Sequence, residues 1–405
     1  MRAALLLLTA IASAPLLRAG DWPQFLGPTR NGISSERLGA PWSKDGPKLL
    51  WQRPVGEGFS TPVVAQGELI LFHRIGDRET IEALDATTGK ALWKADYPTS
   101  YHDDFSRGNG PRASPAIAGD RVYTYGVDGQ LYCWSLSSGA QRWHVDTEAE
   151  FKPARGFFGR VCSPLVESNA VILNIGGRPQ AGIVAFQADT GKVLWKATSD
   201  DASYSSPMMI DRGGQRRLLV VTRSTLTALD PAQGHVLFQY PWQPPVQASV
   251  SAAVPLLVGD LIFLSASYGL GATVLRWDAK SPEKVWASDD VLSNHYATSV
   301  AYGDFLYGFH GRQEEGCELR CVELKSGKVR WSESGLKAGT VTLAGDQLLV
   351  LTERGELIRA PATPDGFKPV ARAQVLPFDV RAHPALADGL FYARNKDKLV
   401  CVDLR

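Results

Sequence analysis

The sequence has almost no net charge and little methionine. Its 405 residues include 43 Lys and Arg against 42 Asp and Glu, and only 3 Met. A broad nucleic-acid surface needs a clear excess of basic side chains, because it must neutralise phosphates. The formal charge of +1 argues against that class of surface, and we expect no nucleic-acid partner.

Long apolar runs are missing after the first twenty residues. Residues 1–19 contain the basic Arg2, an apolar run and the small Ala19, which is the pattern of a cleaved export signal. We expect cleavage after Ala19 and a periplasmic or secreted protein. No Cys near this point could carry a lipid, and no second run of about 18 apolar residues follows, so we do not expect an integral membrane protein.

The cysteines lack the spacings that cofactor chemistry uses. The five of them include no adjacent pair and no CxxC or CxxCH motif: Cys133, Cys162, Cys317, Cys321 and Cys401. Such motifs mark metal pairs and haem attachment sites. The odd number leaves at least one thiol unpaired, and the sequence predicts no metal site.

The sequence does contain a phrase repeated at a fixed spacing. Residues 83–93 read ALDATTGKALW, with a Gly six places and an aromatic residue ten places after the start. Further copies begin at residues 133, 185, 228, 276 and 321. The first copy is typical of two strands joined by a tight turn at Gly89, because Gly permits positive φ. Two more short β runs precede each copy, and four strands over about 45 residues are typical of a propeller blade.

The last blade lacks a fourth strand at the C-terminus. Residues 380–405 supply three strands, whereas 48–54 resemble an outer strand with no blade of its own. We therefore predict an all-β, eight-bladed β-propeller with four-stranded blades. Its ring is closed by the N-terminal strand, which pairs with the C-terminal blade and leaves no open edge.

Three segments follow from this topology. Residues 1–19 are the predicted signal peptide, 20–47 an N-terminal strap, and 48–405 a single eight-bladed propeller domain. The strap contains Trp22 and Phe25, and we expect these rings to anchor it over the outer face of a blade.

Six tryptophans occupy the last position of the repeat, or the equivalent position in the predicted closing strand 48–54. They are Trp51, Trp93, Trp143, Trp195, Trp286 and Trp331. One ring per blade at one register indicates one structural role, docking between neighbouring blades, since a cofactor on the axis needs only one or two rings. Cys133, Cys321 and Cys401 share the first position of the repeat, where a thiol packs as a small apolar group.

The phrase at 83–93 resembles the tryptophan-docking motif of pyrroloquinoline-quinone (PQQ) repeat propellers. The segments 21–32 and 399–405 are similar to the ends of exported PQQ-like repeat proteins, so the resemblance covers essentially the whole mature chain. This superfamily includes quinoprotein alcohol dehydrogenases and the propeller lipoprotein of the outer-membrane barrel-assembly machine. The resemblance implies the fold and leaves the activity open.

Two functions follow from the resemblance. The favoured one is an exported, non-catalytic binding or scaffold propeller. The alternative is a PQQ-dependent quinoprotein dehydrogenase, an oxidoreductase using PQQ with Ca²⁺. The resemblance implies that such enzymes carry a Cys-Cys disulfide, calcium ligands and a Trp beneath the quinone. The chain has no Cys-Cys pair and no matching calcium motif, and no catalytic residue is predicted.

The predicted ligand site is one mouth of the central channel, because propellers bind there through the loops that lead into the inner strands. Ser-Pro or Thr-Pro marks several inner strands, as at Thr61 and Ser163. Residues close to such marks or to their equivalents form the candidate set: Arg112, Arg160, Tyr204, His295, Tyr296 and Arg381. Converging arginines would suit an anionic ligand, since a guanidinium binds a carboxylate through two hydrogen bonds. The expected partner is therefore an unknown protein or an anionic small molecule or glycan. In the alternative, each arginine pairs with a local carboxylate on a solvated rim.

Overall fold

Strands dominate the computed structural model, which describes residues 20–105, 108–247, 249–277 and 281–405. The predicted signal peptide, residues 1–19, lies outside this part of the chain. In the described residues there are 33 strands and one helix, α1 (Thr147–Phe151). No helix within these ranges is long and apolar enough to span a membrane.

Two strands precede the first complete blade. They are β1 (Ile33–Ser34) and β2 (Lys48–Pro54). The next sixteen strands form blades 1 to 4, in chain order: β3 (Val63–Ala65), β4 (Glu68–Ile75), β5 (Arg78–Asp85), β6 (Ala91–Pro98); β7 (Ala116–Ala118), β8 (Arg121–Tyr125), β9 (Gln130–Ser135), β10 (Gln141–Asp146); β11 (Leu165–Glu167), β12 (Ala170–Gly177), β13 (Ala181–Gln187), β14 (Val193–Ala197); β15 (Met208–Arg212), β16 (Gln215–Val221), β17 (Thr225–Leu229), β18 (Val236–Pro241).

Blades 5 to 8 repeat the same order. Their strands are β19 (Leu256–Val258), β20 (Leu261–Ala266), β21 (Gly271–Trp277), β22 (Pro282–Ser288); β23 (Val300–Tyr302), β24 (Phe305–His310), β25 (Glu318–Glu323), β26 (Val329–Glu333); β27 (Gly339–Ala344), β28 (Gln347–Thr352), β29 (Glu356–Pro361), β30 (Ala371–Gln374); β31 (Ala385–Ala387), β32 (Leu390–Arg394), β33 (Lys398–Asp403). Within each blade the strands are antiparallel neighbours, and the first strand faces the channel, where β3 contacts both β7 and β31. The prediction of eight four-stranded blades is confirmed.

The ring closes between the two ends of the chain. Strand β2 pairs antiparallel with β33, and Trp51 lies opposite Cys401 in the register. The predicted closing strand, 48–54, is therefore confirmed with its predicted bounds. Because the outer strand of blade 8 comes from the N-terminal side, blade 8 cannot be completed unless both ends of the chain are in place.

The repeated tryptophans bridge successive blades. Each indole N–H donates to a backbone carbonyl of the following blade: Trp51 to Ala86 (3.0 Å), Trp93 to Leu136 (2.5 Å), Trp143 to Ala188 (2.9 Å), Trp195 to Pro231 (3.0 Å), Trp286 to Leu324 (2.8 Å) and Trp331 to Thr363 (2.8 Å). The ring also covers the glycine of the next turn, so that a Cβ on Gly234 would overlap Trp195. The repeat needs glycine there both for this contact and for a φ of +72°.

The N-terminal strap crosses the channel, so the expectation of an outer-face position is wrong. Trp22 forms a bridge with Val64 of β3, and β1 pairs in parallel with β27 of blade 7. The inner strands offer unpaired backbone groups along the channel, and the strap satisfies several of them. Trp22 is buried as a result.

Arg30 is the polar centre of this strap. Its guanidinium is buried and donates to the carbonyls of Ser163 (3.1 Å), Pro164 (2.9 Å) and Pro207 (2.9 Å), which belong to blades 3 and 4. Burial lowers the pKa of Arg30 to about 10, which leaves the group charged near neutral pH. One arginine thus links the strap to two blades.

Blades 5, 6 and 8 are also contacted by the strap. Leu26 packs in the same apolar cluster as Leu256 of blade 5, and a Cβ on Gly32 would lie 3.0 Å from Val300 of blade 6. The Glu36 carboxylate accepts from the backbone of Gly389 in blade 8 at 2.5 Å. The strap therefore closes one end of the channel and leaves the end with the mouth loops for a ligand.

Candidate binding site at the channel mouth

A row of hydroxyl groups joins the inner strands of blades 1 to 4 where they leave the mouth loops. The backbone N–H of Thr61 donates to Ser114 Oγ (3.0 Å), that of Ser114 to Ser163 Oγ (2.9 Å), and that of Ser163 to Ser206 Oγ (2.9 Å). Each bond joins one blade to the next. The Ser-Pro and Thr-Pro marks of the sequence therefore hold the mouth in shape, which makes it a preformed site.

A cavity of about 210 Å³ lies beside this row of hydroxyl groups. Its walls include five of the six candidate residues, and Thr61, Ser163 and Ser206 also line it. The five that the structure brings together are Arg112, Tyr204, His295, Tyr296 and Arg381. Arg30 bonds to the residues that follow Ser163 and Ser206, so the strap lies directly beneath the cavity.

Arg112 is held by its own protein. Its guanidinium donates to the carbonyls of Phe158 (3.2 Å) and Gly108 (3.1 Å) and lies 3.5 Å from the Asp103 carboxylate. The same group lies over the rings of Phe59 (5.9 Å) and Phe158 (5.3 Å). A guanidinium that is engaged on its edges and faces has little left for a ligand carboxylate.

Arg381 is paired as well. Its Nε lies 2.8 Å from Asp379 and 3.4 Å from Glu353. Tyr296 donates its hydroxyl to the same Glu353 carboxylate at 3.0 Å. Burial raises the pKa of Glu353 and nearby Arg381 opposes that rise, so the guanidinium favours the ionised form of this carboxyl group.

His295 is fixed between two neighbours on the opposite wall. One ring nitrogen lies 2.5 Å from Gln313 Oε1 and the other 3.0 Å from the Tyr268 hydroxyl. Burial is the main cause that lowers the pKa of His295. The imidazole is therefore neutral at pH 7 and is held in a fixed orientation.

Arg160 does not line this cavity, although it borders a neighbouring groove of about 360 Å³ together with Tyr204. It is buried against Glu148, with Nε to Oε1 at 2.5 Å, and donates to the carbonyls of Ala154 (3.0 Å) and Pro153 (3.3 Å). It lines a separate open groove of about 780 Å³ between blades 1 and 2. The sequence places Arg160 just before Ser163-Pro164, but this position did not determine the direction in which the loop turns the Arg160 side chain.

Aromatic rings dominate the cavity, which the sequence did not reveal. Phe25 of the strap, Phe158, Tyr268 and His383 line it in addition to Phe59 and the candidate tyrosines. A signal for His383 was present, because His383-Pro384 replaces the usual Ser/Thr-Pro mark on the inner strand of blade 8. Nothing in the sequence placed Phe25 there, since its approach depends on the path of the strap.

His383 is the least satisfied polar group of the site. Its side chain is 95 % buried, and among the described residues neither ring nitrogen has a hydrogen-bond partner. The Phe25 ring meets it edge to face at 5.4 Å. Burial lowers the pKa of His383 to about 4, so that the ring is neutral at pH 7 and offers one donor and one acceptor.

Exposed phenylalanines stand around the mouth. Phe105 and Phe157 contact each other at 5.8 Å, and Phe105 contacts the cavity residue Phe158 at 5.4 Å. Phe378 precedes Asp379, the partner of Arg381, and is 64 % exposed. We call Phe105, Phe157 and Phe378 the mouth rim. Such exposed apolar groups at the edge of a cavity are a feature of binding surfaces.

The described residues do not fit a quinone with calcium at this cavity. No group of three or more His, Cys, Asp or Glu within the described ranges could hold a metal ion. All five cysteines are free and buried, and burial raises the pKa of Cys401 to about 12. The lining of the cavity contains arginines that are already paired and no tryptophan.

The fold and its repeated docking contacts define the class of the protein. Eight four-stranded blades, joined by indoles that lie over the next turn, make it a PQQ-like repeat β-propeller. The family model described as outer membrane protein assembly factor BamB matches residues 77–333, which is more than half of the chain. The chain belongs to this family.

Curated relatives come from two groups. The chain is 22 % identical over 387 residues to the outer membrane protein assembly factor BamB of Shewanella oneidensis, covering 88 % of this chain and 89 % of that protein. It is 29 % identical over 170 residues to the quinohemoprotein alcohol dehydrogenase ADH-IIG of Pseudomonas putida, covering 40 % of this chain. That match spans only about a fifth of the dehydrogenase, since it covers 21 % of its length.

Solved structures share the fold. BamB from Moraxella catarrhalis superposes with a TM-score of 0.65 at 14 % identity, covering 88 % of this chain and 98 % of that one. Quinohemoprotein alcohol dehydrogenase from Comamonas testosteroni gives 0.67 at 14 % identity, covering 96 % and 81 %. Identities this low establish the common architecture alone.

Proposed function

We propose that this protein is an exported, non-catalytic propeller that binds a partner or ligand at its channel mouth. The observation that carries the proposal is the preformed cavity bordered by the mouth rim. The row of hydroxyl groups and the paired arginines hold the cavity walls in place. A rigid site of this kind loses little conformational freedom on binding.

The family supports a scaffold role in the cell envelope. The relatives that match most of the chain are named outer membrane protein assembly factors. By this proposal, residues 1–19 direct export, and the mature propeller acts in the periplasm or beyond it. Its partner would be a protein whose surface places apolar side chains on the mouth rim.

An affinity experiment with envelope extract tests this function. The triple variant Phe105→Ser, Phe157→Ser and Phe378→Ser removes the mouth rim, and we expect it to retain at least tenfold less of the partner than the parent protein. The matched control changes exposed leucines on outer strands, Leu92→Ser and Leu194→Ser, which are 51 % and 49 % exposed. We expect the control to retain the partner fully.

Two results would contradict the proposal. One is an extract in which nothing binds the parent protein above the background of an unrelated propeller. The other is equal loss of binding in the rim variant and the leucine control, since this would place the contact outside the mouth.

The dehydrogenase alternative is tested separately. Purified protein is titrated with PQQ in the presence of Ca²⁺, and dye reduction is followed with a series of alcohols. We expect no saturable PQQ binding, because the cavity arginines are already paired and the described residues offer no group of metal ligands. Saturable binding with alcohol-dependent dye reduction would instead establish the enzyme.

A further inference from the structure

We propose that the mouth cavity binds a neutral sugar ring, which rests on the proposed function of the mouth as a binding site. The cavity is small, has aromatic walls, contains guanidinium groups that are already neutralised, and ends in unpaired hydrogen-bonding groups. Each of these four features excludes some ligands, and a sugar satisfies all of them.

The charges argue against the anionic ligand that the arginines first suggested. Arg112 is paired with Asp103, and Arg381 with Asp379 and Glu353. Among the described residues each of these guanidiniums has a carboxyl group beside it, so the pairs themselves add no surplus of positive charge that would attract an anion. An added carboxylate would have to displace contacts that the protein already makes.

The walls suit a molecule with flat apolar faces. Phe25, Phe59, Phe158, Tyr268 and Tyr296 surround the cavity, and all of them retain some exposure. A sugar ring presents C–H groups on its faces and hydroxyls on its edge. Aromatic rings can pack against those faces while a few polar groups fix the orientation of the edge.

The inner end of the cavity supplies those polar groups. Neutral His383 has one donor and one acceptor without a partner among the described residues. Ser163 and Ser206 each accept a backbone N–H through their oxygen, which leaves the O–H of each able to donate. A sugar hydroxyl both donates and accepts, so its chemistry complements a neutral imidazole and the two serine hydroxyls that line the cavity.

The volume limits the ligand to a small one. The cavity holds about 210 Å³, whereas pockets for drug-sized ligands hold roughly 300–1,000 Å³. We therefore infer that one sugar ring enters and that any longer glycan extends outward past the mouth rim.

Saturation-transfer NMR with titration provides the test on the full mature protein. The probes are glucose, galactose, N-acetylglucosamine and its β-1,4 disaccharide, with citrate as the anionic and choline as the cationic comparison. We expect saturable binding of at least one neutral sugar and none of citrate or choline. His383→Phe should weaken sugar binding at least tenfold, because it removes both ring nitrogens while filling the same space.

Matched variants keep the test interpretable. His235→Phe changes an exposed histidine in the turn between β17 and β18 and should leave sugar affinity unchanged. Phe59→Ala removes a wall ring without altering the inner end of the cavity, so it replaces His383→Phe if that variant does not fold. Thermal unfolding of each variant confirms that the propeller is intact.

The outcomes separate this inference from the proposed function. If citrate or choline binds and no sugar does, the ligand class is wrong. If His383→Phe and Phe59→Ala both bind sugar normally, the sugar binds outside this cavity and the inference is also wrong. If no probe binds but the rim variant still loses its envelope partner, the sugar inference alone fails. If no probe binds and no partner is retained, both proposals fail.

Discussion

Trp195 shows how one side chain can serve two blades. Its ring is buried, its N–H is 3.0 Å from the Pro231 carbonyl, and its face covers Gly234. The ring belongs to β14 of blade 3, whereas Pro231 and Gly234 belong to the turn of blade 4. The tryptophan of one repeat thus packs on the glycine of the next repeat. The fixed positions of both residues therefore serve the contact between two blades rather than a contact within one blade.

Replacing Trp195 with Ala should therefore weaken the whole ring. We expect Trp195→Ala to reduce the free energy of unfolding by about 3–5 kcal/mol, the range for truncating a large aromatic core residue. The control is Leu194→Ala, the neighbouring residue, whose side chain is 49 % exposed and should cost less than about 0.5 kcal/mol. Denaturant titration measures both, and similar values for the two would contradict the docking role.

For single residues at the mouth, the sequence predicted their location correctly but not the groups with which they pair. The Ser/Thr-Pro marks pointed to Arg112, Tyr204 and Arg381, and the structure places all three at one cavity. The pairing of the arginines was not readable, because Asp103 and Asp379 meet them only through loop geometry. Sequence spacing orders residues along a strand but does not specify how an irregular loop turns them.

At the scale of elements, the boundary between blades 1 and 2 contains a buried carboxyl group. Glu79 of β5 is fully buried, accepts from the Tyr97 hydroxyl at 2.6 Å, and accepts from the backbone N–H of Val127 at 3.0 Å. Burial is the main cause that raises the pKa of Glu79 to about 7. The folded state therefore binds a proton here that the unfolded chain has already lost at pH 6.

This shift makes the boundary sensitive to pH. A carboxyl whose pKa is higher in the folded state contributes stability at low pH and loses it as the pH rises from about 4.5 through about 7. We expect the stability of the parent protein relative to Glu79→Gln to fall between pH 5 and 8, by at most about 3 kcal/mol, since one pKa unit corresponds to about 1.4 kcal/mol.

Denaturant titrations across that pH range measure the difference. Glu150→Gln, on the exposed side of α1, is the control for loss of a carboxylate and should follow the parent protein at every pH. Parallel curves for the parent protein and Glu79→Gln would show that the Glu79 carboxyl has the same proton affinity in both states.

The elements themselves were readable because each blade repeats the same local pattern. Alternating strands and fixed turns locate most of the hairpins, and the closing strand Lys48–Pro54 matches its predicted bounds. The strap was misplaced because its two-residue strand, Ile33–Ser34, is shorter than any periodic signal. The position of the strap depends on backbone hydrogen bonds to the inner edges of strands that lie far away in the sequence.

The whole molecule is a ring whose two ends meet. Gly39 donates its backbone N–H to the Leu404 carbonyl at 2.9 Å, and Gly20 lies against Asp388 in the blade that contains the C-terminal strand. The order of blades around the ring therefore does not depend on where the chain starts. The segments at the two ends must both be present to complete blade 8, but the contacts between blades do not require the chain to be open at that point.

A circular permutant tests this property. A short linker joins residue 405 to residue 20, and new ends are placed between Gly213 and Gly214, in an exposed hairpin with open space around it. We expect the same ring, with a melting temperature within a few degrees of the parent protein, since exposed turns tolerate such cuts. Circular dichroism during heating measures it.

The control permutant opens the chain at Gly191. That turn lies beneath the Trp143 ring, where a Cβ would come within 2.7 Å of it, so the cut should lower the melting temperature clearly. Equal stability of the two permutants would contradict the view that the covered turns hold the blades together.

The strap across the channel has a consequence for exchange. Because Arg30 and its neighbours lie across the channel beneath the cavity, the described residues leave the mouth as the open side for a molecule in the cavity. A protein seated on the mouth rim would cover that side. Dissociation of the small ligand would then have to wait for dissociation of the large one, so the residence time of the small ligand would depend on how tightly the partner is held.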